Sequence, residues 1–389
     1  MSASIPKAVN NNKTVLYLLS FIPTYVYWEI NELLKRGINV KILMLGNSPR
    51  SSMWQRISGL NRESDSYVNH KIIIEHFIDT RELNGIEDYI KMAQTLSQFL
   101  IKEPVNRIHV HFAKREAQIG LQLSKILGIP FSVTAHANDI FVPMNIRELQ
   151  YLLRESPLIF TISKFNKKCL EKYISTEDAS RIKVTYLGID NHNLPKRESF
   201  SKDYFSIYCV ASGLAEKKGV LYLVKACEIL KQKGFSFKCF VIGSDPDGKI
   251  LDQLRLEIVE LGLGEEIKLP GVLSSDEVLH EIAKCDVFVL PCVKSENGDM
   301  DGIPVSLIEA MGIGVPVVST IVSGIPELIS NKENGLLVMQ KDPAAIAEAV
   351  INICNNPDDS EKMGKAARKT VKDKFSIKKY VDNLIYNWN

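Results

Sequence analysis

Short, nearly continuous apolar runs, spaced by longer amphipathic stretches, constrain this chain more than any other feature. In the first half they are Val15–Ser20, Val40–Leu45, Ile72–Phe77, Ile108–Phe112, Phe131–Thr134, Ile159–Ile162 and Ile182–Leu187. In the second half they are Ser206–Val210, Lys238–Ile242, Ile267–Leu269, Val287–Leu290 and Val315–Ser319. A strand with one wet face alternates polar and apolar residues, so runs like these read as strands buried on both faces. The periodic segments between them, such as Tyr89–Ile101 and Gln118–Leu127, suit the helical crossovers that parallel strands need. Strand–helix alternation occurs twice over. It predicts an α/β chain of two doubly wound, Rossmann-like domains, with ligands at the carboxyl ends of the strands. A length of 389 residues also exceeds what one core usually supports. Asn191–Lys202 is polar, contains Pro195 and reads as a linker. The expected division is therefore 1–200 and 201–374, followed by a terminal helix over 375–389 that mixes aromatics with lysines.

Composition fits a globular enzyme, with 45% apolar and 24% charged residues. No apolar run approaches the length of a membrane span, and the first twelve residues lack the apolar core of a secretion signal. The seven cysteines contain no C-x-x-C pair and several sit in apolar runs, which predicts reduced, buried, cytoplasmic thiols. Net charge is +2, too small for a nucleic-acid partner, and no nucleic-acid motif is present. Charge is unevenly spread. Residues 1–200 carry 26 Lys and Arg against 19 Asp and Glu, while the remainder carries 22 against 27. The positive half has two readings of equal weight: ordinary scatter, or a surface for an anionic partner such as a membrane face or a lipid diphosphate.

The densest motif is Asp299-Met-Asp-Gly-Ile-Pro-Val-Ser-Leu-Ile-Glu-Ala-Met-Gly-Ile-Gly-Val-Pro-Val-Val-Ser-Thr320. Asp301 and Glu309 stand eight positions apart, separated by Gly302-Ile303-Pro304 and the start of an apolar helix that includes Val305. A helix start is short of acceptors and favours anions, so the turn should offer amide N–H groups to a phosphate. One acid could then hold sugar hydroxyls and the other ribose hydroxyls. Asp299 and Asp301 could also be read as a hard-cation pair, but no third ligand is evident. Upstream, Ser212-Gly-Leu-Ala-Glu-Lys-Lys-Gly219 follows a strand and brings Lys217 and Lys218 to its carboxyl end. Alone, that segment would be an exposed polar turn.

The joined pattern resembles the acid-x7-acid signature of the family 4 retaining glycosyltransferases, which have the two-domain GT-B architecture with a cleft between the domains. The usual first acid is Glu, and here it is Asp301. The lysine segment resembles that family's G-R-L-x-E-K-K-G. Lys218 matches its phosphate-contacting Lys, whereas Gly213 stands where the family has Arg. Val241-Ile-Gly-Ser-Asp-Pro-Asp-Gly248 resembles the family's I-G-x-G-P. Leu269-Pro-Gly-Val-Leu-Ser-Ser-Asp-Glu-Val278 resembles the stretch that meets the nucleotide base, which implies base-side roles for Val272 and Leu273; a strand end before a helix capped at Ser275 reads equally well. Ser323-Gly-Ile-Pro-Glu-Leu328 is a further hallmark, with an expected role in loop shape, and the resemblance implies that the terminal helix over 375–389 crosses back onto the first domain.

In the first half, Ile108-His-Val-His-Phe-Ala113 and Val133-Thr-Ala-His-Ala-Asn-Asp-Ile140 both end strands. They are similar to the family's H-x-H-F and H-G-x-D, with Ala137 in place of Gly. His136 thus matches the His that faces the donor sugar, and Asp139 the family Asp. His109 and His111 read as structural, with His111 a secondary support to His136. Residues 109 and 111 share a strand face, so geometry leaves a three-histidine zinc site open, although the family resemblance implies no metal. The aromatic run Ser20–Ile30 reads slightly better as a buried helix face than as an acceptor platform. No G-x-G-x-x-G follows the first strand, which weighs against a nicotinamide dehydrogenase.

The resemblance implies a retaining transferase of a hexose from a nucleotide-diphospho-sugar, UDP-hexose being favoured, to a glycan or lipid-linked acceptor in polysaccharide biosynthesis. His136, Lys218 and Asp301 would be the catalytic residues. Gly213, Lys217, Lys218, Val272, Leu273, Asp301, Gly302, Ile303, Pro304, Val305 and Glu309 would line the donor site, without metal or other cofactor. The expected location is cytoplasmic, at or near the inner membrane face. Two other readings stand beside it: a GT-B nucleotide-sugar epimerase, and a non-catalytic sugar-nucleotide-binding scaffold. Nucleoside diphosphate release with and without acceptors separates the three.

Overall fold

The structure is a computed structural model that describes residues 13–45, 73–78, 83–101, 104–198, 203–211, 213–245 and 248–389. The chain divides into two compact units, Met1–Gly188 with Ile377–Asn389, and Ile189–Ser376. The first holds a parallel seven-stranded sheet: β1 (Thr14–Leu19), β2 (Asn39–Leu45), β3 (Ile73–Ile78), β4 (Arg107–His111), β5 (Phe131–Ala135), β6 (Ile159–Thr161) and β7 (Ile182–Val184). Their spatial order is β3-β2-β1-β4-β5-β6-β7. Chain direction through the sheet reverses between β1 and β4, where Leu16 pairs with Ile108, and this switch point is where such sheets open a crevice for ligands. Strands made of Val, Ile and Leu fill the interior: Leu16, Leu18, Ile108, Val110 and Val133 are all buried.

In the second unit the sheet is parallel and six-stranded: β8 (Phe205–Ala211), β9 (Phe237–Gly243), β10 (Ile267–Gly271), β11 (Val287–Leu290), β12 (Val317–Thr320) and β13 (Leu336–Val338). Its order is β10-β9-β8-β11-β12-β13, with the switch point between β8 and β11.

Several details depart from the sequence reading. β13 is a strand that its three half-buried residues, set in a polar surround, did not announce. β12 begins at Val317 rather than 315, because Gly314 ends the preceding helix at φ 94 and turns the chain first. β4 stops at His111, and Phe112 takes φ 71, a left-handed conformation costly for a residue with a β-carbon. The units divide at 188/189, not at 200. Ile189 N–H donates to Phe375 C=O, and Ile189 and Leu194 pack over Gly312, so the first part of the expected linker is bound into the second unit. Ile72, Ser212, Pro246 and Asp247 lie outside the described residues.

The terminal helix Ile377–Trp388 belongs to the first unit. Arg36 pairs with Asp382, Arg107 Nη2 donates to Trp388 C=O at 2.7 Å, and Trp388 Nε1 donates to Ser132 Oγ at 3.1 Å. None of the seven cysteines forms a disulfide; five are buried, and Cys169 and Cys354 are half-buried. Among the described residues no helix is long and apolar enough to cross a membrane.

Candidate functional site

Two constellations occupy the carboxyl ends of the strands, one at each switch point. In the second unit β8 runs into a tight turn at Glu216–Lys218, then Gly219 and the helix Val220–Gln232. Gly219 has φ 66, and a β-carbon there would lie 1.9 Å from the Pro291 carbonyl oxygen, so only glycine lets the lysine turn lie against the end of β11. Val293 N–H donates to Lys217 C=O at 2.9 Å and locks that approach. Gly213 has φ 70 with open space beside it. An Arg at this position would meet backbone strain, not crowding.

The lysines turn toward the acids. Lys218 Nζ lies 2.6 Å from Asp301 Oδ2; Lys217 Nζ lies 3.0 Å from Asp299 Oδ2 and 3.7 Å from Asp301 Oδ1. The Cys292 thiol is 3.7 Å from Asp301 Oδ2. Burial alone would raise the Asp301 carboxyl, but the charges of Lys218 and Lys217 and the donors around it outweigh burial and hold it below the usual range. Burial likewise pulls Lys218 down, and the facing Asp301 more than restores it.

Beyond Asp301 the chain forms the Gly302-Ile303-Pro304 turn and the helix Val305–Ile313, whose first turn has no acid and no side-chain cap. The N–H groups of Gly302, Ile303, Val305 and Ser306 find no acceptor among the described residues. Gly302 C=O accepts from Gly324 N–H at 3.2 Å, which gives the Ser323–Leu328 segment its part in shaping the loop. Ser306 Oγ donates to Val210 C=O at 3.1 Å and ties the helix start to β8. Glu309 has no hydrogen-bond or ion-pair partner among the described residues, and burial pushes its carboxyl up to about 8. Val272 and Leu273 leave the end of β10. Val272 is 72% exposed, and the following helix Ser275–Ala283 is capped by Ser274, one residue before the expected Ser275.

In the first unit His136 sits at the end of β5, at the N-cap position of the short helix Ala137–Phe141. Asp139 Oδ2 accepts from His136 N–H at 3.0 Å and Ala113 N–H at 2.8 Å, clamping the ends of β5 and β4 together. Burial pushes the Asp139 carboxyl up to about 6, against these two N–H groups and Lys114. His136 Nε2 is 3.1 Å from His111 Nδ1, and its ring lies against Phe112, centroids 4.6 Å apart. Burial, His111 and Lys114 hold the His136 imidazole well below its usual range, so it is neutral.

Sequence reasoning missed Glu29, which is fully buried on the helix Thr24–Lys35. Tyr17 donates to its Oε1 at 2.5 Å, and its Oε2 lies 2.8 Å from His111 Nε2. The available signal was a Glu in register with Val26, Ile30 and Leu33 on an otherwise apolar stripe. Glu29, His109 and His111 each bring one potential ligand atom within 4.8 Å of the others. The three-histidine grouping weighed from sequence thus has Glu29 in the place of His136. His109 is occupied by the sheet itself, with Nδ1 2.8 Å from Ser132 Oγ and Nε2 3.3 Å from Thr134 Oγ1.

Two family profiles match consecutive parts of the chain: Glycosyltransferase Family 4 over residues 22–193, and glycosyl transferases group 1 over residues 191–370. The chain belongs to this family of glycosyltransferases. It is 37% identical over 200 residues to the amylovoran biosynthesis glycosyltransferase AmsK of Erwinia amylovora, covering 51% of this chain and 48% of that one. It is 35% identical over 231 residues to WcaL of Escherichia coli, named for colanic acid biosynthesis, covering 59% and 55%. The chain thus spans about half the length of these relatives. Among solved structures, a glycosyltransferase from Rickettsia africae superposes with a TM-score of 0.79 at 19% identity, covering 97% of this chain and 98% of that one. The Anabaena protein HepE in complex with UDP-glucose gives 0.76 at 17%, covering 96% and 99%. At such identities these two establish the GT-B fold.

Proposed function

We propose that this chain is a retaining glycosyltransferase that moves a hexose from a UDP-hexose to a glycan or lipid-linked glycan in polysaccharide biosynthesis. The observation that carries the reading is the start of Val305–Ile313: unclaimed N–H groups at an uncapped helix end, next to Lys218, at a switch point. Such a place binds a diphosphate. The donor phosphates would take Lys218 from Asp301, freeing that carboxylate for sugar hydroxyls. Glu309, about one helical turn in and without a partner among the described residues, would hold the ribose. As the glycosidic bond breaks, charge grows on the leaving nucleoside diphosphate, and Lys218 with the amides stabilises it there, where it lowers the barrier. The resemblance implies same-face attack, a donor phosphate oxygen taking the acceptor proton. The resemblance implies a donor-sugar role for His136. Neither the phosphate contacts nor the proton transfer calls for a metal. Support for the pathway comes from the names of the two bacterial relatives, and support for UDP from the nucleotide bound to the structural neighbour.

Thermal shift with UDP, UDP-glucose, GDP and GDP-mannose tests the donor. A ligand at a hundred times its Kd adds about 2.7 kcal/mol, a readily measured rise. UDP compounds are expected to give the larger rise, and preferential stabilisation by GDP-mannose would overturn the donor assignment. UDP release that needs no acceptor would point to the epimerase.

A further inference from the structure

We infer that the first unit holds a second ligand site, a pocket for a small organic carboxylate with an apolar body, at the amino end of its sheet between β1, β4 and the terminal helix. The inference stands apart from the donor-site reading and does not rest on it. The pocket has a volume of about 180 Å³. It lies where Lys13 leads into β1 and Arg107 opens β4, and Trp388 of the terminal helix closes one side. Val15, Ile38, Ile385 and the Trp388 ring form its apolar wall. The switch-point crevice is at the other end of the same sheet. β1 is six residues long, so the two ends are about 17–20 Å apart.

Two cations line the pocket, and no Asp or Glu does. Arg107 Nη2 donates to Trp388 C=O at 2.7 Å, and the guanidinium stands 5.6 Å from the centroid of the Trp388 ring. Lys13 Nζ donates to Asn389 Oδ1 at 2.6 Å. None of these contacts brings a negative charge, and among the described residues neither cation has a carboxylate partner. Burial pulls the Arg107 guanidinium down to about 10, with nothing to restore it. Arg36 is the contrast: burial pulls it down as well, and Asp382 and Glu32 more than restore it. A half-buried guanidinium without a counter-charge is costly, and a ligand carboxylate would relieve that cost. The planar fork of Arg107 suits a carboxylate and keeps N–H groups beyond the one given to Trp388. Backbone donors at this end are already used. Thr14 N–H donates to Asn106 Oδ1 at 2.7 Å, Asn39 N–H to Lys13 C=O at 3.0 Å and Ile108 N–H to Pro130 C=O at 2.9 Å. The attraction for an anion therefore comes from the two side chains, beside an apolar wall. A bare anion would leave that wall unfilled, and a neutral apolar molecule would leave the cations unmet. An apolar cavity of roughly 150 Å³ takes up benzene, so this volume suits a ring or a short branched chain bearing one carboxylate. The wall is already in place, because Trp388 Nε1 is held by Ser132 Oγ at 3.1 Å.

Calorimetry on the full chain tests the site, with tryptophan fluorescence as a second readout because Trp388 lines it. The probes are benzoate and isovalerate, set against benzamide, which lacks the charge, and acetate, which lacks the body. Benzoate or isovalerate is expected to bind at least about tenfold more tightly than benzamide or acetate and to raise the melting temperature. Saturating UDP should leave that affinity unchanged. Arg107→Met keeps an apolar stem and should weaken binding about tenfold or more, and Lys13→Met about two- to fivefold. Lys13 is exposed, so its variant carries the test should Arg107→Met fail to fold. Binding by neither carboxylate, equal binding of benzoate and benzamide, or parent affinity in the variants would overturn the site. Acetate binding as tightly as benzoate would overturn the organic ligand, and competition by UDP would overturn the separation from the donor site.

Discussion

The two switch points of this chain solve the same problem in opposite ways. At the β8–β11 switch the polar groups are formal charges, Lys217 and Lys218 against Asp299 and Asp301, each 12–18% exposed. At the β1–β4 switch Glu29, His109, His111, Tyr17 and Thr134 are almost wholly buried and linked side chain to side chain. In a largely buried ion pair the loss of hydration offsets much of the attraction, so a more strongly charged ligand can replace one partner. A buried hydrogen-bonded network has no such freedom, since each unmade contact costs desolvation. The charged cluster is suited to exchanging partners with a phosphate, and the buried one to holding geometry unchanged.

Substitutions can break that contrast, and the largest effect is expected at Lys218. Lys218→Ala should lower kcat on the order of 10²–10³-fold, as losing one preorganised charge contact does, with the circular dichroism spectrum retained. A loss confined to KM would place Lys218 in ground-state binding instead. Next come the two acids, compared by calorimetry with UDP and UDP-glucose. Asp301→Asn should weaken only the sugar nucleotide, about ten- to a hundredfold, the worth of a hydrogen bond to a charged group, whereas Glu309→Gln should weaken both about two- to tenfold, the worth of one to a neutral carboxyl. Equal loss of UDP affinity in the two variants would sink the division of labour between sugar and ribose. His136→Ala should lower turnover about five- to tenfold with UDP affinity nearly unchanged.

A smaller effect concerns pH. The folded Glu309 carboxyl stands at about 8 against the usual 4.5, so its contribution to stability is present below about 4.5 and is lost as pH rises toward 8. Glu309→Gln cannot ionise. Its melting temperature should gain on the parent across that window, by about 2–4 °C for each kcal/mol recovered, and the gain should level off above it. A constant offset from pH 5 to pH 9 would mean Glu309 is ionised in the folded state. Least of all should happen with EDTA, which is expected to leave turnover unchanged; loss restored by Mn²⁺ or Mg²⁺ would revive a cation at Asp299 and Asp301.

The sequence was most legible where chemistry and local structure coincide. Lys218, Asp301 and Glu309 sit in one unit on segments whose turn and helix signals are local: Gly219 for the close approach, Pro304 at the helix start, Gly314 at its end. The burial pattern of β1 or β5 followed from composition alone. Glu29 was not legible, because a Glu among Val26, Ile30 and Leu33 looks like an exposed residue until the strand face beneath it is known to carry Tyr17 and two histidines. Nor was the division at 188/189, which depends on Ile189 and Leu194 finding Gly312.

Sequence by itself determined the number and kind of layers, because apolar runs buried on both faces leave a chain no other stable arrangement than parallel strands with helical crossovers. It also determined which glycines and which acids lie at strand ends. Only the tertiary structure decided which charges meet and which protons are shared. Lys218 finds Asp301 across 83 positions of sequence, and His111 lies between Glu29 and His136 because β4 sits beside β1 in the sheet. Periodicity is a property of neighbours along the chain and survives in the one-dimensional record. Hydrogen bonds and ion pairs act over about 3 Å in space, and the strand order that sets those distances is written in no local pattern.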